Sequence, residues 1–398
     1  MTAINACRAC GGRDLEPVLS LGNQAFTGHF PLPHEVPPSG PLNAVHCTSS
    51  TLVQLADSFP LDQLYGDNYG YRSGLNPGMV NHLQWLADRH RVFLKENSVV
   101  LDIGANDGTL LGFFPQTDMT RIGIDPLMKK FSRFVPPGIV AVPEFFSREA
   151  FLSASGGRKA DLVFMVAMAY DLPNPIETFG QVADCMADGG VLVIEAAYLP
   201  AKLKANAFDD FCHEHLEYYT LTSLQYILNT VGLYAFDVQQ TATNGGSFVV
   251  LANKKPRLPL KELPLLDMQD AFDGLWENLV TIRQRLHDLL ARPGLTLGYG
   301  ASTKGNVLLQ TFNINSALLP VIGEINPEKY GHVTPGTHIP IVSMEQARSM
   351  KPDAYLVLPW HFREGIIKQE QEFIANGGEL IFPLPWPEVV NRETQGAK

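Results

Sequence analysis

"VVLDIGANDGTLL", residues 99–111, has the pattern of a buried strand, a glycine turn and the start of a helix. Gly104 and Gly108 bracket the turn, and Asp102 lies at the end of the strand. Glycines let the backbone approach a ligand closely, and the first turn of a helix offers free N–H groups. The stretch therefore predicts a nucleotide-type binding site at the carboxyl end of a strand.

The residues around this turn indicate which nucleotide it binds. "RIGIDP" (121–126) ends a second strand in Asp125, where a carboxylate can accept both ribose hydroxyls of an adenosine. The turn lacks the G-x-G-x-x-G dinucleotide fingerprint, and Asp102 would repel a pyrophosphate but attract the ammonium group of a methionine moiety. We predict S-adenosylmethionine as the cofactor, with "VPEFFS" (142–147) contacting the adenine. The predicted cofactor-binding residues are Asp102, Gly104, Asn106, Gly108, Asp125, Glu144 and Phe145.

Short apolar runs alternate with amphipathic stretches along much of the chain, and this pattern indicates the fold class. It begins near residue 97 and restarts after a helix-like stretch at 268–292, which is typical of parallel α/β units. We expect an α/β protein of three domains: a small N-terminal domain (1–90), a Rossmann-like class I S-adenosylmethionine-dependent methyltransferase domain (91–254) and a second Rossmann-like α/β domain that binds substrate (255–398).

Composition narrows the possible partners. The 398 residues include 30 Lys and Arg against 41 Asp and Glu, a net charge of −11 without a basic run, which disfavours a nucleic-acid partner. No apolar stretch reaches the roughly 18–20 residues of a membrane span. The start, MTAINACRAC, lacks the pattern of a secretory signal, and five cysteines do not make a disulfide framework. We expect a cytoplasmic protein with reduced thiols and no membrane partner.

Three cysteines have the spacing of an incomplete zinc site. Cys7 and Cys10 form a C-x-x-C pair, and Cys47 would begin a second pair, but Ser50 stands where its partner cysteine would be. A structural zinc takes four ligands. Either one zinc is held by the three cysteines and another ligand, from the adjacent His46 or elsewhere, or the site has been lost.

"FDDFCHEHLEYYTLT" (208–222) places His213, Glu214 and His215 side by side. The stretch is compatible with a metal-binding histidine pair, a solvated loop or an acid/base cluster. The next residues predict a helix with Thr222 as N-cap, Gln225 in a capping box and Gly232 at its end. This would place the three residues at the mouth of the sheet, and no third metal ligand follows at a suggestive spacing. An acid/base cluster is therefore the favoured interpretation.

Several motifs in order resemble one family across nearly the whole chain. They are the C-x-x-C pair, "YGDNYGYRSGLN" (65–76), the glycine turn, "HEHLEYYT" (213–220), "NGGSFVV" (244–250), "GYGASTKGN" (298–306) and "TPGTHIPIVS" (334–343). The chain resembles the sugar C-methyltransferases that act on nucleotide-linked 4-keto-deoxysugars in branched-chain sugar biosynthesis.

The resemblance implies both an activity and a set of residues. The expected reaction methylates the carbon next to a ketone through an enolate that a histidine base forms. The resemblance makes His215 the base within the His213–Glu214–His215 motif, and Glu214 is a candidate to orient an imidazole. It makes Tyr71, or alternatively Tyr69, the family's N-terminal tyrosine. It also implies S-adenosylmethionine, one structural zinc, an N-terminal domain that binds zinc and closes over substrate, and a nucleotide-linked keto-sugar or another small carbonyl compound as substrate.

Departures from the family pattern leave the substrate open. Cys212 replaces a tyrosine before the histidine motif, Tyr170 stands where the family has histidine, and Asn244 replaces histidine in "HGGS". With Lys304 of "GYGASTKGN", these three are the predicted substrate-binding residues. Two alternatives therefore accompany the sugar methyltransferase: a S-adenosylmethionine-dependent enzyme with a non-sugar carbonyl substrate, and a catalytically silent binding homologue.

Overall fold

The computed structural model describes residues 1–60, 64, 71–115, 119–261 and 267–395. The first strands, in chain order, are β1 (Thr2–Ala3), β2 (Leu15–Ala25), β3 (Ser39–Cys47), β4 (Val53–Leu55) and β5 (Asp57–Ser58). The middle strands are β6 (Ser98–Ile103), β7 (Met119–Ile124), β8 (Ile139–Val142), β9 (Ala160–Val166), β10 (Met186–Ala197), β11 (Glu217–Tyr218), β12 (Tyr234–Thr241) and β13 (Ser247–Asn253). The last are β14 (Thr296–Tyr299), β15 (Ile322–Glu324), β16 (Ile341–Ser343), β17 (Ala354–Val357), β18 (Glu379–Phe382) and β19 (Glu388–Val390).

The α-helices connect these strands. Up to the end of the central sheet they are α1 (Pro77–His90), α2 (Thr109–Gly112), α3 (Arg148–Ala154), α4 (Pro175–Cys185), α5 (Leu199–Lys204) and α6 (Leu221–Thr230). The later ones are α7 (Met268–Leu290), α8 (Thr303–Thr311), α9 (Met344–Ser349), α10 (Arg363–Gln369), α11 (Gln371–Ala375) and α12 (Arg392–Gln395). Of the helices in the described ranges, none is long and apolar enough to cross a membrane.

The central sheet has seven strands in the order β12-β13-β10-β9-β6-β7-β8. β6 to β10 are parallel, whereas β13 is antiparallel to β10 and β12 is antiparallel to β13. β6 is buried along its whole length, as its continuous apolar run predicts for a strand covered on both faces. The order reverses between β6 and β9, and ligands bind at such a switch point in open α/β sheets. The expected Rossmann-like class I methyltransferase fold is confirmed.

A second parallel sheet follows in the order β16-β15-β14-β17-β18-β19, in which only β19 is antiparallel to its neighbour. The turn after β14, its first strand in chain order, is held by the same kind of hydrogen bond as the glycine turn of the central sheet. The Glu324 carboxylate, at the end of β15, accepts a hydrogen bond from the Ala301 N–H at 2.7 Å, as the Asp125 carboxylate does from the Asn106 N–H at 2.9 Å. The second Rossmann-like unit is thus also present.

The N-terminal sheet includes a strand from the middle of the chain. Its order is β11-β4-β3-β2, with Glu217 of β11 paired to Gln54 of β4. β11 follows the predicted acid/base motif directly, so the motif is held between the N-terminal sheet and the central sheet. Side chains of the N-terminal sheet and of the second Rossmann-like unit share one continuous hydrophobic core.

Two helices differ from the sequence-based expectation or add to it. α6 begins two residues earlier than predicted: Thr220 is the N-cap, and Ser223, not Gln225, completes the capping box with it. Thr220 and Thr222 are chemically alike, and the pairing of β11 determines where the chain turns into the helix. α1 lies within the proposed 1–90 domain but packs on the central sheet, with Leu83 and Leu86 in the same core cluster as Leu110.

Candidate active site

The glycine turn after β6 opens into a cavity of about 340 Å³ at the carboxyl edge of the central sheet. Gly104 and Gly108 have φ values of 76° and 77°, a left-handed conformation that favours glycine. A Cβ atom on Gly104 would lie 2.8 Å from Cγ of Met168, so the backbone approach requires glycine there. Gly108 does not line the cavity; it is the N-cap of α2.

Most of the predicted cofactor residues line this cavity. The lining includes Tyr71, Asp102, Gly104, Asn106, Asp125 and Phe145. Glu144 is exposed and is not among the lining residues, whereas Phe146, which the sequence analysis did not select, is. The proposed adenine contact from this segment is therefore aromatic in the structure.

Carboxylates around the turn make the cavity suited to a cationic ligand. The pKa of Asp102 lies well above its usual value, first because the side chain is buried and then because Asp125 and Asp107 repel its charge. Burial also raises the pKa of Asp125, although its carboxylate accepts N–H groups from Asn106 and Leu127. A cation bound here would relieve this repulsion, and S-adenosylmethionine carries an ammonium and a sulfonium. The residues therefore fit that cofactor.

An N-terminal segment closes against the glycine turn. The N–H of Ser73 donates to Oδ1 of Asn106 at 2.9 Å, and the amide group of Asn106 donates to the carbonyl of Tyr71 at 3.2 Å. Arg72 forms an ion pair with Asp107 at 3.2 Å. These contacts bring Tyr71, 43% exposed, to the cavity. Tyr69, the alternative to Tyr71, lies outside the described residues.

The surroundings of His215 favour one tautomer and a neutral ring. Its Nδ1 lies 2.9 Å from the backbone carbonyl oxygen of Asp210. Because a carbonyl only accepts, Nδ1 carries the proton and Nε2 of the neutral ring keeps its lone pair. Burial lowers the pKa of His215; the charge of Asp210 raises it and that of Lys304 lowers it. The net lowering keeps the ring neutral, and able to accept a proton, at neutral pH.

Tyr170 packs against His215. Its ring lies 4.4 Å from the imidazole of His215, centroid to centroid. Its carbonyl accepts the N–H groups of Leu216 and Glu217 at 2.7 and 3.0 Å. The next residue, Asp171, lines the cavity. Tyr170 and His215 are therefore in contact, although neither is among the residues that line the cavity.

His213 and Glu214 do not join His215. His213 is fully buried between the rings of Phe26 and Phe59, with centroids 4.7 and 4.8 Å away, and its Nε2 donates to the carbonyl of Gly40 at 3.2 Å. The two residues lie in a turn that the N–H of His215 closes by donating to the carbonyl of Cys212 at 3.1 Å, and their side chains meet different neighbours.

The carboxylate of Glu214 instead holds the N-terminal loop. It accepts the Thr27 hydroxyl at 3.1 Å and the Gly28 N–H at 2.9 Å. The expectation that Glu214 orients an imidazole is wrong for this structure, because the Asp210 carbonyl orients His215. Of the described residues, the group with metal-ligand geometry is Cys7, Cys10 and Cys47, and neither histidine belongs to it.

A lysine from the second Rossmann-like unit contacts Asp210, the residue whose carbonyl binds His215. Lys304 forms an ion pair with Oδ1 of Asp210, and Lys202 lies 3.4 Å from the same oxygen. Burial acts to raise the pKa of Asp210, but the two ammonium groups outweigh it and hold the pKa below its usual value. Both lysines also donate to the backbone carbonyl of Asn244. Lys304 and Asn244, both predicted to bind substrate, therefore lie together, and Asn244 contributes its backbone carbonyl to this contact. Cys212 is buried and is not among the cavity-lining residues.

The sequence analysis missed a hydrogen-bonded histidine–carboxylate pair at the same edge of the sheet. Nε2 of His82 lies 2.7 and 2.8 Å from the two carboxylate oxygens of Glu195, and the Thr243 hydroxyl is 3.2 Å from Nδ1. Glu195, near the end of β10, is 3% exposed. An acidic residue inside the apolar run "VLVIEAAYL" (191–199) was the available signal, because a buried carboxylate requires a partner.

The three cysteine thiols form one cluster in the N-terminal segment. Their Sγ atoms all lie within 4.8 Å of one another. Thiolates are preferred zinc ligands, so the set fits a single zinc, which would cross-link the segment as a structural ion. His46 is not part of the cluster.

Comparison with known proteins identifies the family. Family models match residues 242–385 ("C-methyltransferase C-terminal domain"), residues 80–238 ("Methyltransferase domain") and residues 7–65 ("Putative zinc binding domain"). C-methyltransferase NovU of Streptomyces niveus is 30% identical over 413 residues, which cover 98% of each chain.

Solved structures match over about half of the chain. A 1,6-didemethyltoxoflavin-N1-methyltransferase of Burkholderia thailandensis with bound S-adenosylhomocysteine is 12% identical, with a TM-score of 0.38, over 53% of this chain and 99% of that one. LepI in complex with S-adenosylmethionine is 16% identical, with a TM-score of 0.34, over 46% of this chain and 53% of that one. The full-length relative is the stronger finding. The chain is a S-adenosylmethionine-dependent methyltransferase and belongs to the C-methyltransferase family of its Streptomyces niveus relative.

Proposed function

We propose that the protein methylates the carbon next to a ketone in a nucleotide-linked deoxysugar, through an enolate that His215 forms. The observation that carries the proposal is the hydrogen bond from Nδ1 of His215 to the Asp210 carbonyl, which leaves Nε2 free to accept a proton. Carbon is a poor nucleophile until a base removes the proton next to a carbonyl. Histidine suits this step because its pKa lies near working pH.

The surrounding residues have distinct proposed roles in the reaction. S-adenosylmethionine supplies an electrophilic methyl group when it is bound at the glycine turn. Tyr71 lines the cavity, and its hydroxyl is the proposed donor to the enolate oxygen. Tyr170 packs on the His215 ring and restricts its rotation. Lys304 is a positioning residue, because it reaches the base through Asp210.

The proton lost by the substrate goes to Nε2 of His215. The resulting imidazolium is stabilised by the nearby carboxylate of Asp210, whose charge favours the protonated ring. The electron pair left on the substrate forms the enolate and would then form the new carbon–carbon bond, while the methyl–sulfur bond of the cofactor breaks and its electron pair stays on the sulfur. After methyl transfer the imidazolium must return its proton to solvent before the next turnover.

A non-sugar carbonyl substrate is the second candidate. Cys212, Tyr170 and Asn244 are the residues that depart from the sugar-enzyme pattern. Cys212 is 1% exposed and so has little direct bearing on a ligand, whereas the side chain of Asn244 is partly exposed. The sugar substrate therefore remains the first proposal. Of the three changed residues, Tyr170 is the one whose ring packs on the imidazole of His215.

Isothermal titration tests the substrate class. We expect S-adenosylmethionine to bind, and one member of a panel of nucleotide-linked 4-keto-deoxysugars to bind and become methylated at the α-carbon. Methylation of a nucleotide-free keto compound with no binding of any sugar nucleotide would replace the proposal with the second candidate. Binding of both ligands without turnover would indicate a silent homologue.

A further inference from the structure

The first cysteine pair lies in a tight loop with a regular hydrogen-bond pattern. The N–H of Cys7 donates to the carbonyl of Gly12 at 2.8 Å and closes the loop. The N–H of Gly12 donates in turn to Sγ of Cys10 at 3.3 Å. Backbone N–H groups directed at a sulfur stabilise it as a thiolate. We refer to residues 7–12 as the first knuckle.

The second knuckle, residues 47–52, repeats this pattern with one change of atom. The N–H of Cys47 donates to the carbonyl of Leu52 at 2.9 Å and closes the loop. The N–H of Leu52 donates to Oγ of Ser50 at 3.4 Å. Cys47 therefore corresponds to Cys7, and Ser50 corresponds to Cys10. The hydroxyl oxygen occupies the place that the second sulfur of a C-x-x-C pair takes in the first knuckle.

Distances within the cluster agree with four ligands around one ion. Ser50 Oγ lies 3.2 Å from Cys7 Sγ, and Cys10 Sγ lies 3.6 Å from Cys47 Sγ. A tetrahedral zinc with Zn–S bonds of about 2.3 Å separates its sulfur ligands by about 3.8 Å. Ser50 is 2% exposed, so the protein itself covers the fourth side of the cluster.

His46 is not placed to act as the fourth ligand. It precedes Cys47 in β3, and successive side chains of a strand point to opposite faces of the sheet. Its Cα is paired with Glu16 of β2 and Val53 of β4. The ligand set is therefore found within the two knuckles themselves.

We propose that the hydroxyl oxygen of Ser50 is the fourth ligand of a single zinc ion held by Cys7, Cys10 and Cys47. A neutral hydroxyl is a weaker ligand for zinc than a thiolate and adds no negative charge to the site. The chain thus holds an exchangeable three-sulfur, one-oxygen site in place of a four-sulfur site. Changing an outer-shell partner alone costs about 10–100-fold in metal affinity, so replacing a ligand costs at least about tenfold.

The site is linked to the segment that carries the base. Arg8, between the two cysteines of the first knuckle, donates to the carbonyl of Leu55 at 2.7 Å and lies 3.8 Å from Oε1 of Glu217. Glu217 belongs to β11, which follows His215 directly. Zinc binding at the two knuckles would therefore stabilise the contact between Arg8 and β11, the strand next to His215.

Zinc competition on the full chain tests the proposal without a methyl acceptor. Wild type, Ser50→Cys and Ser50→Ala are loaded with zinc and titrated with a colorimetric chelator under reducing conditions. The matched control is Ser49→Cys, which adds a thiol at an exposed position of the same knuckle whose side chain takes no part in the contacts described above. Cobalt(II) replaces zinc in a second experiment, because its sulfur-to-metal absorption increases with the number of thiolates.

We expect about one zinc per wild-type chain, held at least about tenfold more tightly in Ser50→Cys and unchanged in Ser49→Cys. The cobalt spectrum should gain thiolate absorption only in Ser50→Cys and should change in Ser50→Ala. Three results would overturn the proposal: wild type binds no zinc while Ser50→Cys binds one, wild type and Ser50→Cys bind it equally, or Ser50→Ala matches wild type in affinity and spectrum.

Discussion

Lys304 and Asp210 form an ion pair that joins the second Rossmann-like unit to the base. The side chain of Asp210 receives Lys304, and its backbone carbonyl receives Nδ1 of His215. Asp210 therefore links the C-terminal unit to the imidazole, so that a change at Lys304 affects both the position and the pKa of His215. The base is assembled from two parts of the chain, although its own motif is short.

The ion pair predicts a shift in the pH dependence of turnover. His215 works as a base only when it is neutral, so activity is lost as the pH falls through its lowered pKa. Lys304 lowers that pKa and Asp210 raises it. In Lys304→Met the charge of Asp210 is less compensated and the pKa of His215 rises, so the acidic limb of kcat/KM should move to higher pH. Lys304→Arg keeps the cation, so its acidic limb should stay near that of wild type. An acidic limb that does not move in Lys304→Met would show that Lys304 does not influence the pKa of the base.

Asp125 should contribute to cofactor affinity. Asp125→Ala removes a charge-assisted acceptor from the cavity and should weaken S-adenosylmethionine binding by roughly 1.5–3 kcal/mol in a calorimetric titration. Glu144→Ala is the matched control, because that carboxylate is exposed and outside the cavity lining, and affinity should change little. An equal loss of affinity in both variants would indicate that Glu144 contacts the adenine after all. Unchanged affinity in Asp125→Ala would contradict the assignment of Asp125 to the ribose.

Gly104 should be required for binding beyond its effect on the fold. Gly104→Ala adds a Cβ atom 2.8 Å from Met168 at a φ of 76°. Gly157, with a φ of 81° and open space around its Cα, is the control, because alanine there introduces only the backbone strain. Both variants should lose about 1–2 kcal/mol of stability in urea unfolding. Only Gly104→Ala should also lose S-adenosylmethionine affinity, and parallel losses of affinity in both would show that the turn has no special role.

The His82–Glu195 pair should show strong coupling in a double-mutant cycle. His82→Gln leaves the buried carboxylate of Glu195 without the imidazole that binds it, and losing a hydrogen bond to a charged group costs about 1.5–3 kcal/mol of the free energy of unfolding. Adding Glu195→Gln removes the unpaired charge and should restore part of that stability. Losses that simply add in the double variant would mean that the two side chains do not interact in the folded protein.

Local signals in the sequence predicted the cofactor side of the site, because strand, turn and acidic residue lie within one short segment. The base side depends on distant residues. Glu214 meets Thr27 and Gly28 from the N-terminal loop, and Asp210 meets Lys304 from the last unit. No local pattern around "CHEHLE" (212–217) distinguishes a catalytic histidine from a core histidine. His213 and His215 differ only in what the fold places beside them.

The central claim is that His215 removes the α-proton of a ketone, and proton exchange measures that step without methyl transfer. Wild type, saturated with S-adenosylhomocysteine in deuterated buffer, should wash deuterium into the α-carbon of its nucleotide-linked keto-sugar. His215→Asn should keep its fold and its S-adenosylmethionine affinity but lose about 10²–10⁴-fold in exchange rate. Tyr71→Phe is the comparison variant, since a donor to the enolate oxygen should slow exchange less than loss of the base. Exchange at the wild-type rate in His215→Asn, with loss of exchange in Tyr71→Phe or His213→Asn, would contradict the account and assign the base to another residue.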